Sequence, residues 1–230
     1  VWVRPPPFTS TRWFIINQLQ IMGYKLVNNP MSIVKTTNKF LGTVVASSVM
    51  KTPKTYLILT KRNLETVVKK IGFPIVVKPV FSSMGRGVEK ISSKKELRNY
   101  LKMVDERELT RSPILAQEFI EYEKLIRVVM VGNKVIDAAY DFPKEDWKCS
   151  VCVNPNVIPY KINKKLKRIA LKVKKATGQE ISMLDVFEVD GEYVFNEINN
   201  ACDLGPMQKA TGVNHAKEIA KYLCKGSVLS

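Results

Sequence analysis

The sequence predicts an α+β fold in which strand hairpins alternate with amphipathic helices. In residues 181–200, two runs of strand-forming side chains flank Asp190-Gly191, a dipeptide that favours two-residue hairpin turns. Residues 126–140 repeat this pattern around a Gly-Asn turn. Two further segments carry apolar side chains at helical spacing, residues 93–104 and 161–176.

The first half of the chain is predicted to alternate short strands and helices. Strands are expected at residues 1–4, 24–27, 55–59 and 75–80. Helices are expected at residues 13–22, 32–48, 61–71 and 93–104. Gly23 is expected to end the first helix. Thr60 is suited to begin the third, because a threonine oxygen accepts hydrogen bonds from the unpaired amides at a helix start.

The second half is predicted to be richer in strands. These are expected at residues 114–120, 126–131 and 135–140, and in both arms of residues 181–200. Residues 141–159 contain three prolines and are expected to be irregular, as a substrate loop or as a long connection. Helices are expected at residues 161–176 and 214–223, with a turn at 202–206. The single histidine, His215, is interpreted as structural.

Composition favours a folded protein without a membrane span. The chain is 45% hydrophobic, and no apolar run approaches the ~20 residues of a membrane helix. The first residues lack the charged-then-apolar pattern of a signal peptide, so we expect none in this stretch. It begins without Met on Val1-Trp2-Val3, which resembles the middle of a strand, so we expect an upstream segment. The four cysteines lack zinc-finger spacing and are expected to be reduced thiols, which predicts a cytoplasmic location.

The charge balance favours anionic partners. Lys and Arg number 37 against 21 Asp and Glu, a net charge of +16, which would attract a nucleotide, an acidic protein or nucleic acid. A generally lysine-rich composition is the alternative explanation. Nucleic-acid binding is not favoured, because no helix-turn-helix, RNA-recognition signature or zinc-finger spacing accompanies the charge. The basic residues of helix 161–176 form either a solvated face or a surface for an acidic partner.

Three polar side chains interrupt the apolar pattern of residues 181–200. Glu197 and Asn199 share one face of their strand, because side chains alternate along a strand. The turn can bring Asp185 of the other arm close to them. Three oxygen ligands from two strands suit Mg²⁺, which prefers hard oxygen donors and completes its shell with water and phosphate. The alternative is a surface hairpin whose polar face meets water.

Phosphate-binding features lie elsewhere in the chain. Lys78 interrupts an apolar strand, and a buried lysine needs an anion or an acidic partner; we favour a ligand phosphate. Residues 81–88 contain two serines, two glycines and an arginine, and the amides of such a loop can close over phosphate oxygens. Arg127, in the strand 126–131, is either another anion-binding group or a surface arginine.

The order of these features resembles the ATP-grasp fold, most closely carboxylate–amine ligases of the ribosomal-protein glutamate ligase type. The likeness starts near residue 27 and rests on VNNP, TNKF, IVVKP, SSMGRGV, AQEFIE, IRVVMVGNKVI, LDVFEV, VFNEINN and ATGV. The opening VWVRPPPF also resembles bacterial glutathione synthetases. The resemblance implies two α/β lobes that grip a nucleotide between antiparallel sheets. Residues 1–38 would be the remnant of a preceding domain, 39–117 the small lobe with the phosphate loop, and 118–230 the C-terminal lobe with the metal-binding hairpin.

The resemblance also implies roles for individual residues. Lys39 and Lys78 would hold the phosphates of ATP, and Arg127 would contact the transferred phosphate or the acyl group. Lys78 and Arg127 are therefore the predicted catalytic residues. A loop would close over the phosphates through Ser83, Met84, Gly85 and Arg86. The adenosine would lie against Gln117, Glu118, Phe119, Ile120 and Glu121. Two Mg²⁺ ions, or Mn²⁺, would be held by Asp185, Glu197 and Asn199. Residues 203–205 would lie near the substrate carboxylate.

The implied activity is that of an ATP-dependent carboxylate–amine ligase. ATP would convert a carboxylate to an acylphosphate, an amine would attack it, and ADP and phosphate would leave. The amine would belong to an amino acid, a peptide, or an acidic carrier or protein tail such as polyglutamate. Relatives often carry Arg where Asp141 stands and Asn where Ser150 stands.

These departures fall where the acyl substrate would be held. They keep open a second hypothesis, an ATP-binding regulatory or scaffold protein without ligase turnover, and a basic nucleic-acid binder is the third. Relatives commonly form homo-oligomers, and the sequence does not fix the oligomeric state.

Overall fold

The computed structural model describes residues 1–3, 11–82, 85–143, 147, 154, 156–200 and 203–225. Within these ranges the helices are α1 Thr11–Ile21, α2 Pro30–Thr37, α3 Lys39–Ser47, α4 Lys61–Ile71, α5 Lys94–Met103, α6 Glu106–Arg111, α7 Lys164–Thr177, α8 Gly205–Thr211 and α9 His215–Lys225. The strands are β1 Thr55–Ile58, β2 Ile75–Pro79, β3 Glu89–Ile91, β4 Ile114–Glu118, β5 Lys124–Val131, β6 Lys134–Asp141, β7 Ile158–Pro159, β8 Ile181–Val189 and β9 Glu192–Asn199.

The strands form two antiparallel sheets. The smaller sheet has the order β1-β4-β2-β3, and the larger sheet has the order β7-β6-β5-β8-β9. Helices pack on both, so the predicted α+β class with two antiparallel sheets is confirmed.

The smaller sheet is covered by helices on one face. Leu64 of α4 and Leu97 of α5 share a buried cluster with Ile58, Val77 and Ala116 of the sheet. The amphipathic pattern of both helices supplies this packing, because their apolar stripes face the strands. Lys78 and Val77 are neighbours on β2, so Lys78 points to the opposite face.

The larger sheet also has a helix-covered face. Ala46 of α3 and Leu166 and Val173 of α7 pack there against Val128 and Leu184 of the central strands. We call this the helix-packed face. All five side chains are at most 2% exposed, so the core of the larger sheet lies here.

One predicted helix is two. Residues 32–48 were expected to form a single helix, but α2 and α3 meet at Asn38. The Asn38 side chain accepts a hydrogen bond from the Leu41 amide at 3.0 Å, which caps the start of α3. Its extended backbone ends α2. Asn38 therefore ends α2 and begins α3, and Lys39 is the first residue of α3.

Other local expectations are confirmed or corrected by the structure. The Asn63 amide donates to the Thr60 hydroxyl at 3.1 Å, as expected for the start of α4. Asp190 and Gly191 both have positive φ, as the predicted hairpin turn requires. The irregular segment 141–159 contains the short strand β7, whereas the turn expected at 202–206 overlaps helix α8. The strand β7 pairs with β6 and α8 packs against β6, and local patterns do not reveal such long-range contacts.

The N-terminal residues join the larger sheet through side chains. The buried Asn28 donates to the Ile181 carbonyl at 2.7 Å and to Gln179 Oε1 at 2.6 Å. The domain limits predicted at 38/39 and 117/118 stay predictions. Among the helices of the described ranges, none combines the length and apolar character needed to cross a membrane.

Candidate active site

Charged side chains form a row across the second face of the larger sheet. Ala139, Arg127, Asp185 and Glu197 lie opposite one another on β6, β5, β8 and β9. Directly paired residues of antiparallel strands point to the same face. We call this the charged face. The structure therefore brings Arg127 together with two of the three predicted metal ligands.

A bulge in β9 directs Glu197 to the charged face. Asp185 pairs with Glu197, but the next residue, Val186, pairs with Phe195, so Asn196 is an extra residue. Without it, Phe195 and Glu197 would point the same way. Instead, Phe195 is 1% exposed within the helix-packed core, while Glu197 remains partly exposed.

Arg127 and Asp185 form a buried, two-pronged ion pair. Arg127 Nε donates to Asp185 Oδ1 at 2.6 Å, and Nη2 donates to Oδ2. Both side chains are 3% exposed. Burial raises the pKa of the Asp185 carboxyl, and the Arg127 guanidinium opposes that shift. The pair holds the guanidinium in a fixed orientation, because two parallel hydrogen bonds restrict its plane.

Lys39 and Asn199 both bond to Glu197. Lys39 Nζ donates to Glu197 Oε2 at 2.5 Å, and Asn199 Nδ2 donates to Oε1 at 3.0 Å. Burial acts to raise the pKa of Glu197. The Lys39 charge and hydrogen bond, the Asn199 bond and the Lys78 charge outweigh it and lower the pKa to about 2. Glu197 is therefore ionised at any physiological pH.

Lys78 reaches this group from the smaller sheet. It is 7% exposed, and burial followed by the nearby Lys39 charge lowers its pKa to about 8, against the opposing charge of Glu197. The backbone holds the two lysines near each other, since the Lys39 amide donates to the Val80 carbonyl at 3.1 Å, just after β2. Lys78 of the smaller sheet thus meets Lys39 of α3 and the carboxylates of the larger sheet in a single cluster.

The oxygen atoms of this cluster fit a magnesium ion. Glu197 and Asn199 are adjacent on the charged face and partly exposed, and both supply hard oxygen donors. Asp185 lies beside Glu197, but both of its oxygens accept hydrogen bonds from Arg127. Within the described ranges no group of three His, Cys, Asp or Glu side chains could hold a metal. The predicted set contains only two carboxylates, so its ligand roles stay predictions.

The residues predicted to line the adenosine lie at the end of β4. Gln117 is buried, and its side chain donates to Thr55 Oγ1 at 2.7 Å, within the smaller sheet. The Glu118 amide donates to the Lys54 carbonyl at 3.0 Å, and the Phe119 amide donates to the Pro74 carbonyl at 3.2 Å. Ile120 is partly buried and Glu121 is exposed. Their nucleotide contacts stay predictions.

The Phe119 ring lies in a small aromatic and cationic group. Lys90 Nζ is 3.7 Å from the ring centroid, and the Trp147 ring packs edge-on at 5.7 Å. A ring contacted in this way is held in place, which suits a wall beside a flat ligand.

The predicted phosphate loop is described only in part. Ser83 and Met84 lie outside the described residues, as do Ser150 and three of the cysteines, Cys149, Cys152 and Cys202. Gly85 and Gly87 have positive φ, so both need glycine. At Gly87 a Cβ would also come within 2.9 Å of the Pro79 side chain. Arg86 between them is exposed. The loop therefore follows directly on the strand that carries Lys78.

Sequence reasoning missed a buried polar group around His215. The His215 Nε2 lies 2.7 Å from Asp137 Oδ2, and the Thr211 hydroxyl donates to the same oxygen at 2.7 Å. His215 is 1% exposed, in accord with its structural interpretation. Asp137 and His215 are too far apart in sequence for any local pattern to pair them.

A cavity of about 560 Å³ lies beside the start of β8 and the end of β9. Met183, Asn200, Leu204 and His215 are among its lining residues. Residues 203–205, which were predicted to lie near the substrate carboxylate, also line it. Asp203 Oδ1 accepts a hydrogen bond from the Gly205 amide at 2.8 Å at the start of α8.

Sequence comparison matches the chain to known proteins over most of its length. The profile of the RimK-like ATP-grasp domain matches residues 36–223. The alpha-aminoadipate–LysW ligase LysX of Saccharolobus solfataricus is 28% identical, covering 91% of this chain and 75% of its own. LysX of Sulfolobus acidocaldarius is 33% identical, covering 87% of this chain and 73% of its own.

A solved structure shows the same fold. The ATP-grasp ligase PsnB, complexed with a minimal precursor, Mg and ADP, superposes with a TM-score of 0.69 at 17% identity. The match covers 92% of this chain and 65% of PsnB. The predicted fold is thereby confirmed.

Proposed function

Because the chain belongs to the RimK-like ATP-grasp domain family, we propose that it phosphorylates a carboxylate with ATP and joins the acyl group to an amine. The predicted class, an ATP-dependent carboxylate–amine ligase, agrees with the ligase names of its relatives. The cluster of Lys39, Lys78, Arg127, Asp185 and Glu197 carries the proposal. It combines cations for phosphate with carboxylates for a divalent ion at the meeting of two sheets.

The reaction balances without a protein nucleophile. A substrate carboxylate oxygen attacks the γ-phosphorus of ATP, the bond to the β-phosphate oxygen breaks, and ADP leaves. A neutral amine then attacks the carbonyl carbon of the acylphosphate. Inorganic phosphate leaves and the amine loses a proton, which forms the amide.

The protein's role is to neutralise and position charge. The Lys39 and Lys78 ammonium groups would hold phosphate oxygens, and Arg127, fixed by Asp185, would stabilise the charge on the transferred phosphoryl group. Glu197 and Asn199, with Asp185 beside them, would hold Mg²⁺, two ions in the full proposal. Bound magnesium supplies further neutralisation of the phosphates. PsnB was solved with Mg and ADP, which supports magnesium and an adenine nucleotide as the ligands of the proposed site.

The acceptor is proposed to be an amino acid, a peptide or an acidic protein tail. LysX is named as a ligase of alpha-aminoadipate and LysW, and PsnB was also solved with a precursor peptide. The basic surface of α7 would suit an acidic acceptor. Its exposed cations are Lys164, Lys167, Arg168, Lys172 and Lys175. Lys174 is buried and bonds to the Gln179 carbonyl, so it does not belong to this surface.

An ADP-release assay with Mg²⁺ and a panel of carboxylate and amine pairs tests the proposal. We expect release that requires ATP, magnesium and a carboxylate. Absence of turnover with every pair would contradict the ligase assignment. Nucleotide binding in that case would favour the regulatory or scaffold alternative, and indifference to ATP with salt-sensitive RNA binding would favour the nucleic-acid hypothesis.

A further inference from the structure

Asp141 lies on the charged face, one row away from Arg127. Asp141 pairs with Leu125, and Ala139 pairs with Arg127, so all four side chains point to the same side of the sheet. Diagonal neighbours on adjacent strands are about 7–8 Å apart. At this spacing a single small molecule is long enough to contact both side chains.

One oxygen of Asp141 is buried and has no hydrogen-bond partner among the described residues. The residue is 7% exposed; Oδ1 accepts a hydrogen bond from the Phe142 amide at 2.9 Å, whereas Oδ2 accepts none from the part of the chain that the structure describes. Burying a carboxylate oxygen in this way costs folding free energy, because the oxygen has lost its hydrogen bonds to water without gaining others in their place.

Asp137 provides the contrast on the same strand and the same face. Its Oδ1 accepts a hydrogen bond from the Ala138 amide at 2.8 Å, and its Oδ2 is bonded by Thr211 and lies 2.7 Å from His215 Nε2. The strand can therefore satisfy a buried carboxylate with protein groups. At Asp141 the described residues do not do so, which indicates that a group from outside them binds the free oxygen.

The charge of that group follows from the surroundings. In the proposed function the cluster next to Asp141 receives nucleotide phosphates, and an added unpaired carboxylate would repel them. A cation that arrives with the substrate removes this repulsion. An ammonium group also carries the hydrogen-bond donors that Asp141 Oδ2 lacks.

We infer that Asp141 binds an ammonium group of the acyl donor, so that this protein activates amino-substituted carboxylates. The inference rests on the proposed ligase function and restricts its acyl donors to carboxylates that carry an ammonium group. Asp141 would act in substrate selection, leaving phosphoryl transfer to Lys78 and Arg127.

The test uses pairs of acyl donors in which a hydroxyl replaces the ammonium group. Suitable pairs are 4-aminobutanoate with 4-hydroxybutanoate and β-alanine with 3-hydroxypropanoate. Hydroxylamine serves as the amine, because it is small and neutral near pH 7 and converts any acylphosphate to a hydroxamate. The full chain is assayed with ATP and Mg²⁺, and kcat/KM is compared within each pair.

Three variants make the comparison specific. Asp141→Asn keeps the shape and removes the charge, and Asp141→Glu keeps the charge. Asp137→Asn is the matched control, since it removes a satisfied carboxylate from the same face of the same strand. We expect Asp141→Asn to lower kcat/KM for the amino member about 10- to 100-fold, on the order of a lost charge-assisted hydrogen bond. The hydroxy member should change by less than about threefold, and Asp137→Asn should keep the wild-type ratio.

Calorimetry separates this inference from the proposed function. Binding of each pair is measured in the presence of a non-hydrolysable ATP analogue, so the preference is read without turnover. Preferred binding of the amino member that is lost in Asp141→Asn supports the inference even if no donor turns over. Equal binding within each pair, binding of neither member, an equal loss for both in Asp141→Asn, or a change only in the Mg²⁺ requirement would overturn it.

Discussion

Alternate residues of the same strands form the two faces of the larger sheet. One face packs against helices, and the other carries the ion pairs. On β5, Val128 faces α3 and α7 and is fully buried among apolar side chains, while its neighbour Arg127 faces the cluster of charges. The helix-packed face is stabilised by removing apolar surface from water. The charged face is ordered by ion pairs, which hold side chains in place without adding much net stability. Strand alternation thus keeps the residues proposed to do chemistry out of the helix-packed core, although the charged face also buries apolar side chains such as Leu125 and Val129.

Breaking the buried ion pair should have the largest effect on stability. Asp185→Ala leaves the Arg127 guanidinium buried without its partner, which we expect to cost about 3–5 kcal/mol of unfolding free energy. Leu184→Ala on the other face should cost about 2–5 kcal/mol through lost burial and a cavity. Urea unfolding followed by circular dichroism measures both.

A double variant distinguishes the two losses. Arg127→Met with Asp185→Leu replaces the pair by apolar groups and should recover most of the stability, because no charge is left buried. It should have no ligase turnover. Turnover in the double variant would contradict the role proposed for Arg127, and full stability of Asp185→Ala would contradict the buried pair.

Neutralising Glu197 should mainly affect turnover. Glu197→Gln keeps the side chain's shape but removes the charge that would bind Mg²⁺, so we expect ADP release to fall about 10²- to 10³-fold, the range seen for loss of one electrostatic group in an active site. Glu192→Gln is the control in the same hairpin, where the exposed Glu192 pairs with Lys165, and should stay within about twofold of wild type. Equal activity of the two variants would rule out the metal role of Glu197.

The protonation of Lys78 should make nucleotide affinity depend on pH. Its pKa of about 8 means that it loses its positive charge as pH rises through that value, while Glu197, with a pKa of about 2, stays ionised. We expect ATP affinity in Mg²⁺ to weaken several-fold between about pH 7 and pH 9. Lys78→Arg stays charged and should remove this dependence. Titration calorimetry at several pH values measures it, and an unchanged wild-type affinity would contradict the assignment.

The same shift affects stability in the opposite direction. The pKa of Lys78 lies below its ordinary value of 10.5, so the unfolded chain binds more protons between about pH 8 and 10.5. The contribution of Lys78 to stability therefore rises with pH across this window.

The smallest effect is expected on the exposed surface of α7. Lys167→Glu with Lys172→Glu should weaken binding of a polyglutamate peptide by a few-fold, and more at low salt, because exposed charges are screened by ions. Turnover of small donors should be unchanged. Lys94→Glu with Lys95→Glu on α5 is the control for net charge. Equal binding by the two double variants would contradict an acidic-acceptor surface on α7.

The local turns and the order of the main helices and strands could be predicted from the sequence. The Asp190-Gly191 turn and the Thr60 cap depend on neighbouring residues, so a local pattern was sufficient. The grouping of Lys39 and Lys78 with the hairpin acids was implied by resemblance, and the structure brings these side chains together.

The features that could not be predicted depend on residues that lie far apart in the sequence. The bulge at Asn196 exists only in the pairing of β8 with β9, so the alternation of β9 alone could not place Phe195 and Glu197 on opposite faces. The contact of Asp137 with His215 joins β6 to α9. Local patterns likewise show Asp137 and Asp141 only as two aspartates on a strand. They do not show that both oxygens of Asp137 have hydrogen-bond partners, whereas Asp141 Oδ2 has none among the described residues.

The bond between Lys39 and Glu197 has a thermodynamic consequence for ligand binding. In the protein alone each is the other's counterion. If Lys39 binds phosphate and Glu197 binds the metal, as proposed, a nucleotide that binds first would draw the ammonium group away, and a divalent ion that binds first would draw away the carboxylate. Either arrival frees the group that the other requires. The two affinities should therefore rise together by one common factor, which makes nucleotide and metal behave as a single cooperative ligand.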